Sequence, residues 1–143
     1  PITILHSNLK INPETIYSLI SKMQERAVFF KQSGSVHSCA LADINGFILL
    51  FCEDISRYNT IDRIIGEALL SNVYLKNKVM LTSCRITGGI IKKISSGNIP
   101  IVISRSALTD CAVKLAYQKG ITLIGFVREK RMNVYTHSWR VQV

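Results

Sequence analysis

Four arginines stand where an α/β protein would put them to use. Arg57, Arg85, Arg105 and Arg128 each lie at or just beyond the polar end of an apolar run. The guanidinium is a planar fork of donors that matches phosphate or carboxylate, so its natural work there is anion binding. Ser83 precedes Arg85, and Thr87 and Thr109 begin amphipathic stretches close to Arg85 and Arg105. Helix N-termini with free N–H groups are therefore expected beside two of the arginines. The richest stretch is Glu53-Asp54-Ile55-Ser56-Arg57-Tyr58-Asn59, in which Asp54, Arg57 and Tyr58 have no evident structural duty. No carboxylate pair is spaced for acid–base work, and no nucleophile has an evident base, so no catalytic residue is assigned. Taken singly, each arginine could be a solvated charge or a partner of Asp54, Asp110 or Glu129.

Those residues share an edge only if the elements carrying them run the same way. Asn12-Pro13-Glu14 is a helix start, and Ile16, Leu19, Ile20, Met23, Ala27 and Phe30 keep one apolar stripe to about Lys31. Ser33-Gly34-Ser35 breaks it. Strands are expected over residues 36–44 and 47–53, with Asn45-Gly46 as the hairpin turn. A helix to about Leu75 follows, with Ile61, Ile64, Ile65, Ala68 and Leu69 facing a core, Asn59 as its cap and Asp62 at N3. Strands then alternate with helices: residues 79–83, a helix from Thr87 closed by Gly97, residues 99–104, a helix from Thr109 closed by Gly120, and residues 121–127. A short tail runs through residues 132–135. Helices between near-continuous apolar strands imply parallel strands. The expectation is a three-layer α/β/α sandwich with a mixed, mostly parallel five-stranded sheet and an initial β-hairpin. The first hairpin strand would run against the rest, and all four arginines would emerge on one edge. Gly88-Gly89 could let a phosphate approach the helix after Thr87, although two glycines are a weak signal.

The whole composition is compatible with that site. At 143 residues and 48% hydrophobic the chain suits a single domain, residues 1–143, with residues 1–12 as a loose lead-in. Pro1 in place of Met suggests a piece of something longer. Eighteen Lys and Arg against nine Asp and Glu give +9, which favours an anionic partner. Cys39, Cys52, Cys84 and Cys111 form no C-x-x-C pair and no zinc pattern, so no metal site is assigned. Cys39 and Cys52 alternate with apolar residues in expected strands, which suits buried, reduced thiols in a cytoplasmic protein. Cys84, beside a helix start, could have a lowered pKa, though packing explains it as well. Trp139 and its neighbours read as tail packing. No apolar run is long enough to cross a bilayer.

Ordered blocks from Phe30 to Tyr135 resemble the formate dehydrogenase accessory sulfurtransferases of the FdhD type. They are Ser33-Gly34-Ser35-Val36-His37-Ser38-Cys39-Ala40, the Glu53 to Gly66 stretch, Ser83-Cys84-Arg85-Ile86-Thr87, Ser104-Arg105-Ser106-Ala107-Leu108-Thr109, and Gly125-Phe126-Val127-Arg128 with Met132-Asn133-Val134-Tyr135. The resemblance implies a cytidine-deaminase-like domain that binds the molybdenum or tungsten guanine dinucleotide cofactor, with GDP as a mimic. It implies that sulfur passes from a cysteine desulfurase to that cofactor for formate dehydrogenase, and that the protein is a homodimer. Carried over residue by residue, it makes His37, Asp54, Arg57, Asn59, Asp62, Ser83, Arg85, Thr87, Arg105, Thr109 and Arg128 the cofactor-binding set. His37 read alone is more simply a half-buried, hydrogen-bonded histidine. Family members carry a C-x-x-C segment N-terminal to this region that bears the persulfide, so this stretch alone is expected to bind without transferring sulfur. Tyr58 stands where the family pattern has His, Ser56 where it has Gly, Arg63 where it has Lys, Cys84 where it has Gly and Gly89 where it has Glu. The zinc ligands of true deaminases are missing, which argues against deamination. Two other readings remain: a dimerising scaffold that docks an acidic partner protein, and a basic nucleic-acid-binding domain. Aromatics at 8%, not interleaved with the basic residues, count against the last.

Overall fold

The computed structural model describes residues 4–28, 32 and 34–142. Asn12 starts α1 (Pro13–Arg26) by accepting from the Glu14 N–H at 2.8 Å, and Pro13 fills a position whose N–H would go unpaired. Ile16, Leu19, Ile20 and Met23 are buried along one face. The expected continuation through Phe30 and Lys31, and the break at Ser33, lie outside the described residues. The lead-in is less loose than expected. Leu5 N–H donates to the Lys119 carbonyl at 2.7 Å, and Ile11 forms a parallel bridge with Val141.

A hairpin follows, β1 (His37–Ala42) with β2 (Ile48–Asp54). Its turn is longer than the two-residue loop expected. Asp43 Oδ1 accepts from the N–H groups of Asn45 and Phe47, and of the Asn45-Gly46 pair Gly46 alone takes a positive φ, +95°. The Asp43 side chain stabilises a wider turn that one left-handed glycine can close. Then come α2 (Arg57–Leu70), β3 (Val79–Thr82), α3 (Gly88–Ser96), β4 (Ile101–Ser104), α4 (Asp110–Lys119), β5 (Thr122–Arg128) and β6 (Arg131–Thr136). A 3-10 turn, Ser138–Arg140, closes the chain.

α2 departs from expectation at both ends. Its cap is Ser56, whose side chain accepts from the Asn59 N–H, so Asn59 sits inside the helix. Asp62 belongs to no capping box; it pairs with Lys93 of α3 at 2.9 Å. The helix stops at Leu70 because Asn72 adopts φ +57° and Val73 N–H returns to the Ala68 carbonyl at 2.8 Å, a Schellman closure made with asparagine. Ile61, Ile64 and Ala68 are buried, but Leu69 is 67% exposed.

The sheet has six strands in the order β2-β1-β3-β4-β5-β6. The sixth is the tail beyond β5, paired antiparallel to it. β1 is antiparallel to both β2 and β3, whereas β3–β4 and β4–β5 are parallel. Consequently β2, β3, β4 and β5 point the same way, and β1 and β6 run against them. Alternation divides the core into two layers. Cys39, Leu41, Met80, Val102 and Leu123 pack with α2, α3 and α4. Ala40, Ala42, Val79, Leu81, Ile101, Ile103 and Ile124 pack with α1. Each fully buried aliphatic side chain contributes about 1.5–3 kcal/mol, so this two-faced burial fixes the strand register that aims the loops.

Candidate functional site

The shared direction of four strands brings Arg57, Arg85, Arg105 and Arg128 to one edge of the sheet. His37 joins them, because antiparallel β1 begins where β2 ends and His37 pairs with Asp54. With strands about 4.8 Å apart, the four steps from β2 to β5 span about 19 Å.

Small polar residues at the strand ends tie the loops together. Ser83 Oγ accepts from the Ser38 N–H at 2.9 Å, and Ser104 Oγ donates to the Cys84 carbonyl at 2.8 Å. The Arg105 N–H extends the ladder to the Thr82 carbonyl at 3.1 Å. Ile86 and Leu108 form a parallel bridge, with Ile86 N–H on the Ala107 carbonyl and Thr109 N–H on the Ile86 carbonyl, both at 3.0 Å. Thr87 and Thr109 cap α3 and α4 as expected, accepting from the N–H groups of Ile90 and Ala112. Ser83, Thr87 and Thr109 thus spend their side chains on the scaffold.

The helix N-termini are less open than the sequence suggests. A Cβ on Gly88 would lie 2.8 Å from Cys111 Sγ, and one on Gly89 would lie 2.8 Å from Tyr58 Oη. The room the two glycines leave is filled by protein. At α4, Asp110 in the first turn already answers the helix dipole. The positive character of this edge therefore rests on the arginines.

Around β2 the acidic residues are engaged locally. Asp54 accepts from the Ser56 N–H at 2.9 Å and lies 3.6 Å from Arg63 Nη1. The Ser56 hydrogen bond, then Asn59 and Arg63, hold its carboxyl below the usual range. Asp54 thereby orients the turn that starts α2 and leaves Arg57 unneutralised by it. Arg57 lies over the Tyr58 ring at 5.5 Å and Lys93 at 5.8 Å. The Tyr58 hydroxyl sits 3.3 Å from Thr87 Oγ1. That contact holds the phenol below the usual tyrosine range, with Arg57 and Lys93 adding to it. Arg85 is exposed, with no hydrogen bond or ion pair among the described residues.

The other half lies on the α1 side. A cleft of about 810 Å³ runs between α1 and the β5–β6 turn, with Arg105 and Arg128 in its wall beside Tyr17 and Gln24 of α1. The Gln24 side-chain amide lies against the Arg105 guanidinium, 3.0 Å from Nη1 and 3.2 Å from Nη2. Burial, followed by repulsion from Arg128, lowers the pKa of Arg105. The end of β5 is bulged: Phe126 and Glu129 take φ of +54° and +53°, and the pairing with β6 shifts between Gly125 and Arg128. Such bulges re-aim a strand's side chains. Sequence reasoning missed the α1 wall, because the outward residues of an amphipathic helix carry no spacing signal.

Three of the four cysteines, Cys39, Cys52 and Cys84, are buried, whereas Cys111 is exposed in the first turn of α4. Burial pushes the Cys52 thiol up to about 11, against the opposing charge of Arg63. It raises Cys39 and Cys84 as well. Among the described residues no group of three or more His, Cys, Asp or Glu side chains could hold a metal ion, and no helix is long and apolar enough to cross a membrane.

The FdhD/NarQ family model matches residues 1–142. The chain belongs to the FdhD/NarQ family. It is 38% identical over 141 residues to the sulfur carrier protein FdhD of Saccharolobus solfataricus, covering 98% of this chain and 55% of that one. The Bacillus subtilis protein of the same name is 38% identical over 136 residues, 95% of this chain and 52% of its own length. A crystal structure described as a formate dehydrogenase accessory protein, from Desulfotalea psychrophila, superposes with a TM-score of 0.90 at 28% identity, covering 99% of this chain and 60% of that one. The chain spans about half the length of the curated relatives it matches. Tyr58 and Gly89 form one packing unit. The phenol occupies the space that any side chain at position 89 would need.

Proposed function

We propose that this chain is the cofactor-binding part of an FdhD-type sulfur carrier serving formate dehydrogenase. Its cargo is the molybdenum or tungsten guanine dinucleotide cofactor, held along the arginine edge while sulfur from a cysteine desulfurase is passed to it. The observation that supports this reading is the delivery of four arginines to one edge by four co-directional strands. A span of about 19 Å suits an elongated, multiply charged ligand better than a single phosphate. The chain's own contribution is to bind and orient. Arg57 and Arg85 would meet one end of the ligand, and Arg105 and Arg128 the other. It has no C-x-x-C pair, and of its four thiols only Cys111 is exposed.

The test is calorimetric titration with GDP. The parent chain should bind, and Arg57→Ala or Arg105→Ala should each weaken binding about tenfold or more, the loss of a charge-assisted hydrogen bond. Absent binding in the parent, or equal binding in all three, would sink the reading.

A further inference from the structure

The two edges of the sheet are finished differently. β6, at one edge, has Arg131 and Asn133 at exposed positions and Lys130 just before it, the kind of charge with which natural sheets guard an edge. β2, at the other, reads Ile-Leu-Leu-Phe-Cys before its two acids and contains no Lys, Arg or Pro. Among the described residues, six of the twelve exposed large hydrophobics lie between residues 47 and 74: Phe47, Leu49, Ile55, Leu69, Leu70 and Tyr74. They belong to β2, its two ends and the helix that covers it, and Leu70 is 88% exposed. Single exposed apolar side chains are ordinary, but half of them gathered on one edge mark an interaction surface. Gly66 is an independent sign. It lies inside the fourteen-residue α2, where glycine weakens a helix relative to alanine, yet a Cβ there would meet no atom within 4 Å. Nothing in this chain calls for the missing side chain. A glycine on the outer face of a helix suits a second backbone packed close against it.

We propose that the α2 face around Gly66, with the adjoining β2 edge, packs against the same face of a second copy of this chain. Charge favours a copy over an acidic partner. The chain carries +9, but residues 47–74 hold Glu53, Asp54, Asp62 and Glu67 against Arg57 and Arg63. Copies of so basic a protein repel each other, and they can meet at least cost where carboxylates outnumber arginines. Closure points the same way. Joining like edges buries the apolar edge of both copies and leaves only the charged β6 edges facing outward, so the assembly stops at two. Size is adequate as well. The nine residues from Phe47 to Ile55 cover about 30 Å at about 3.3 Å each, with α2, about 10 Å across, standing beside them. A strip of that extent is of the order a stable dimer needs, about 800 Å² per copy. Leu49 is the extra residue of a bulge, since Leu41 pairs with Leu50 and Ala42 with Ile48. The contact is therefore one of side-chain packing rather than one sheet continued across two copies. It uses none of the arginines assigned above to the cofactor and goes beyond that reading.

The experiment is sedimentation equilibrium of the 143-residue chain and three variants. The parent should form a species of twice its 16.0 kDa mass at micromolar concentration. Leu70→Lys, at an exposed position in the last turn of α2 where a cation suits the helix dipole, should raise the dimer dissociation constant about thirtyfold or more. Gly66→Gln should do the same. In the monomeric Leu70→Lys background it should also raise the urea midpoint, because it adds helix propensity and meets nothing inside the chain. Tyr117→Ser, which removes an exposed aromatic from α4, should leave the dimer intact. A parent that stays monomeric would overturn the proposal and leave the strip to a different occupant. So would a dimer that survives both α2 variants, or one that is lost in Tyr117→Ser while they retain it. A lowered midpoint with Gly66→Gln would place the glycine's role inside the fold and overturn it too.

Discussion

Arg140 and Arg105 are both drawn into the protein, at opposite ends of the same sheet, and they are satisfied in opposite ways. Arg140 is 1% exposed and donates to the carbonyls of Ser7, Pro100 and Gly120 and to Thr122 Oγ1. It also lies 4.3 Å over the Trp139 ring, with Lys10 on the same indole at 4.5 Å. Its donors are spent on oxygens from separate segments, so it works as a rivet between the lead-in, β4, β5 and the chain end. Arg105 has the Gln24 amide against it, a cationic neighbour and a cavity in front of it. Burial alone does not distinguish a structural arginine from a binding one. What distinguishes them is whether the donors are already spent.

That contrast can be broken first at Arg140. Arg140→Leu should cost about 3–4 kcal/mol, because it removes four hydrogen bonds made by one buried guanidinium. Urea unfolding would show the loss as a large fall in midpoint with an unchanged slope. A midpoint within experimental scatter of the parent would refute the rivet. The Tyr58–Gly89 unit should come next. Gly89→Ala forces the phenol off Thr87, whereas in a Tyr58→Ala background the same change gains helix propensity without a clash. A double-mutant cycle should therefore give a coupling of about 1 kcal/mol; strict additivity would mean the two do not share space.

Asp54 offers a smaller, pH-dependent effect. Its carboxyl is held below the usual range in the folded state, so its contribution is fully present above the unfolded value of about 3.9. It is lost as pH falls from there through the folded pKa. Asp54→Asn should flatten the stability profile below about pH 4, and a profile parallel to the parent's in that range would contradict the assignment. The smallest effect on stability belongs to Arg85. Arg85→Ala should change it by no more than about 0.5 kcal/mol, while GDP titration should report weaker binding. A substantial loss of stability would place Arg85 with Arg140 rather than with Arg105.

Much of this fold is legible in the sequence because its signals are local. Asn12, Thr87 and Thr109 cap the helices they precede, and Gly120 closes α4 in the left-handed conformation. The common direction of the arginine-bearing strands follows from apolar runs separated by helices. The start of α2 was harder, because Ser56 and Asn59 are both good caps one helical turn apart. Asp54 decides between them by taking the Ser56 N–H. The rivet was invisible for another reason. The carbonyls that receive Arg140 come from Ser7, Pro100 and Gly120, which no window of sequence places together. Gln24 and Arg105 meet for the same reason, through tertiary packing of α1 on the sheet.

The Ile86–Leu108 bridge has a consequence for how tightly anything can be held on the arginine edge. Because the segments after β3 and β4 are hydrogen-bonded to each other and to the sheet, their backbones are ordered before a ligand arrives. The entropic cost of binding there falls mainly on mobile side chains such as Arg85 and Arg128, at about 0.5–1.5 kcal/mol each. Cutting the bridge, for instance with Ile86→Pro, which removes the N–H bonded to Ala107, should slow association and weaken binding even though every arginine remains in place.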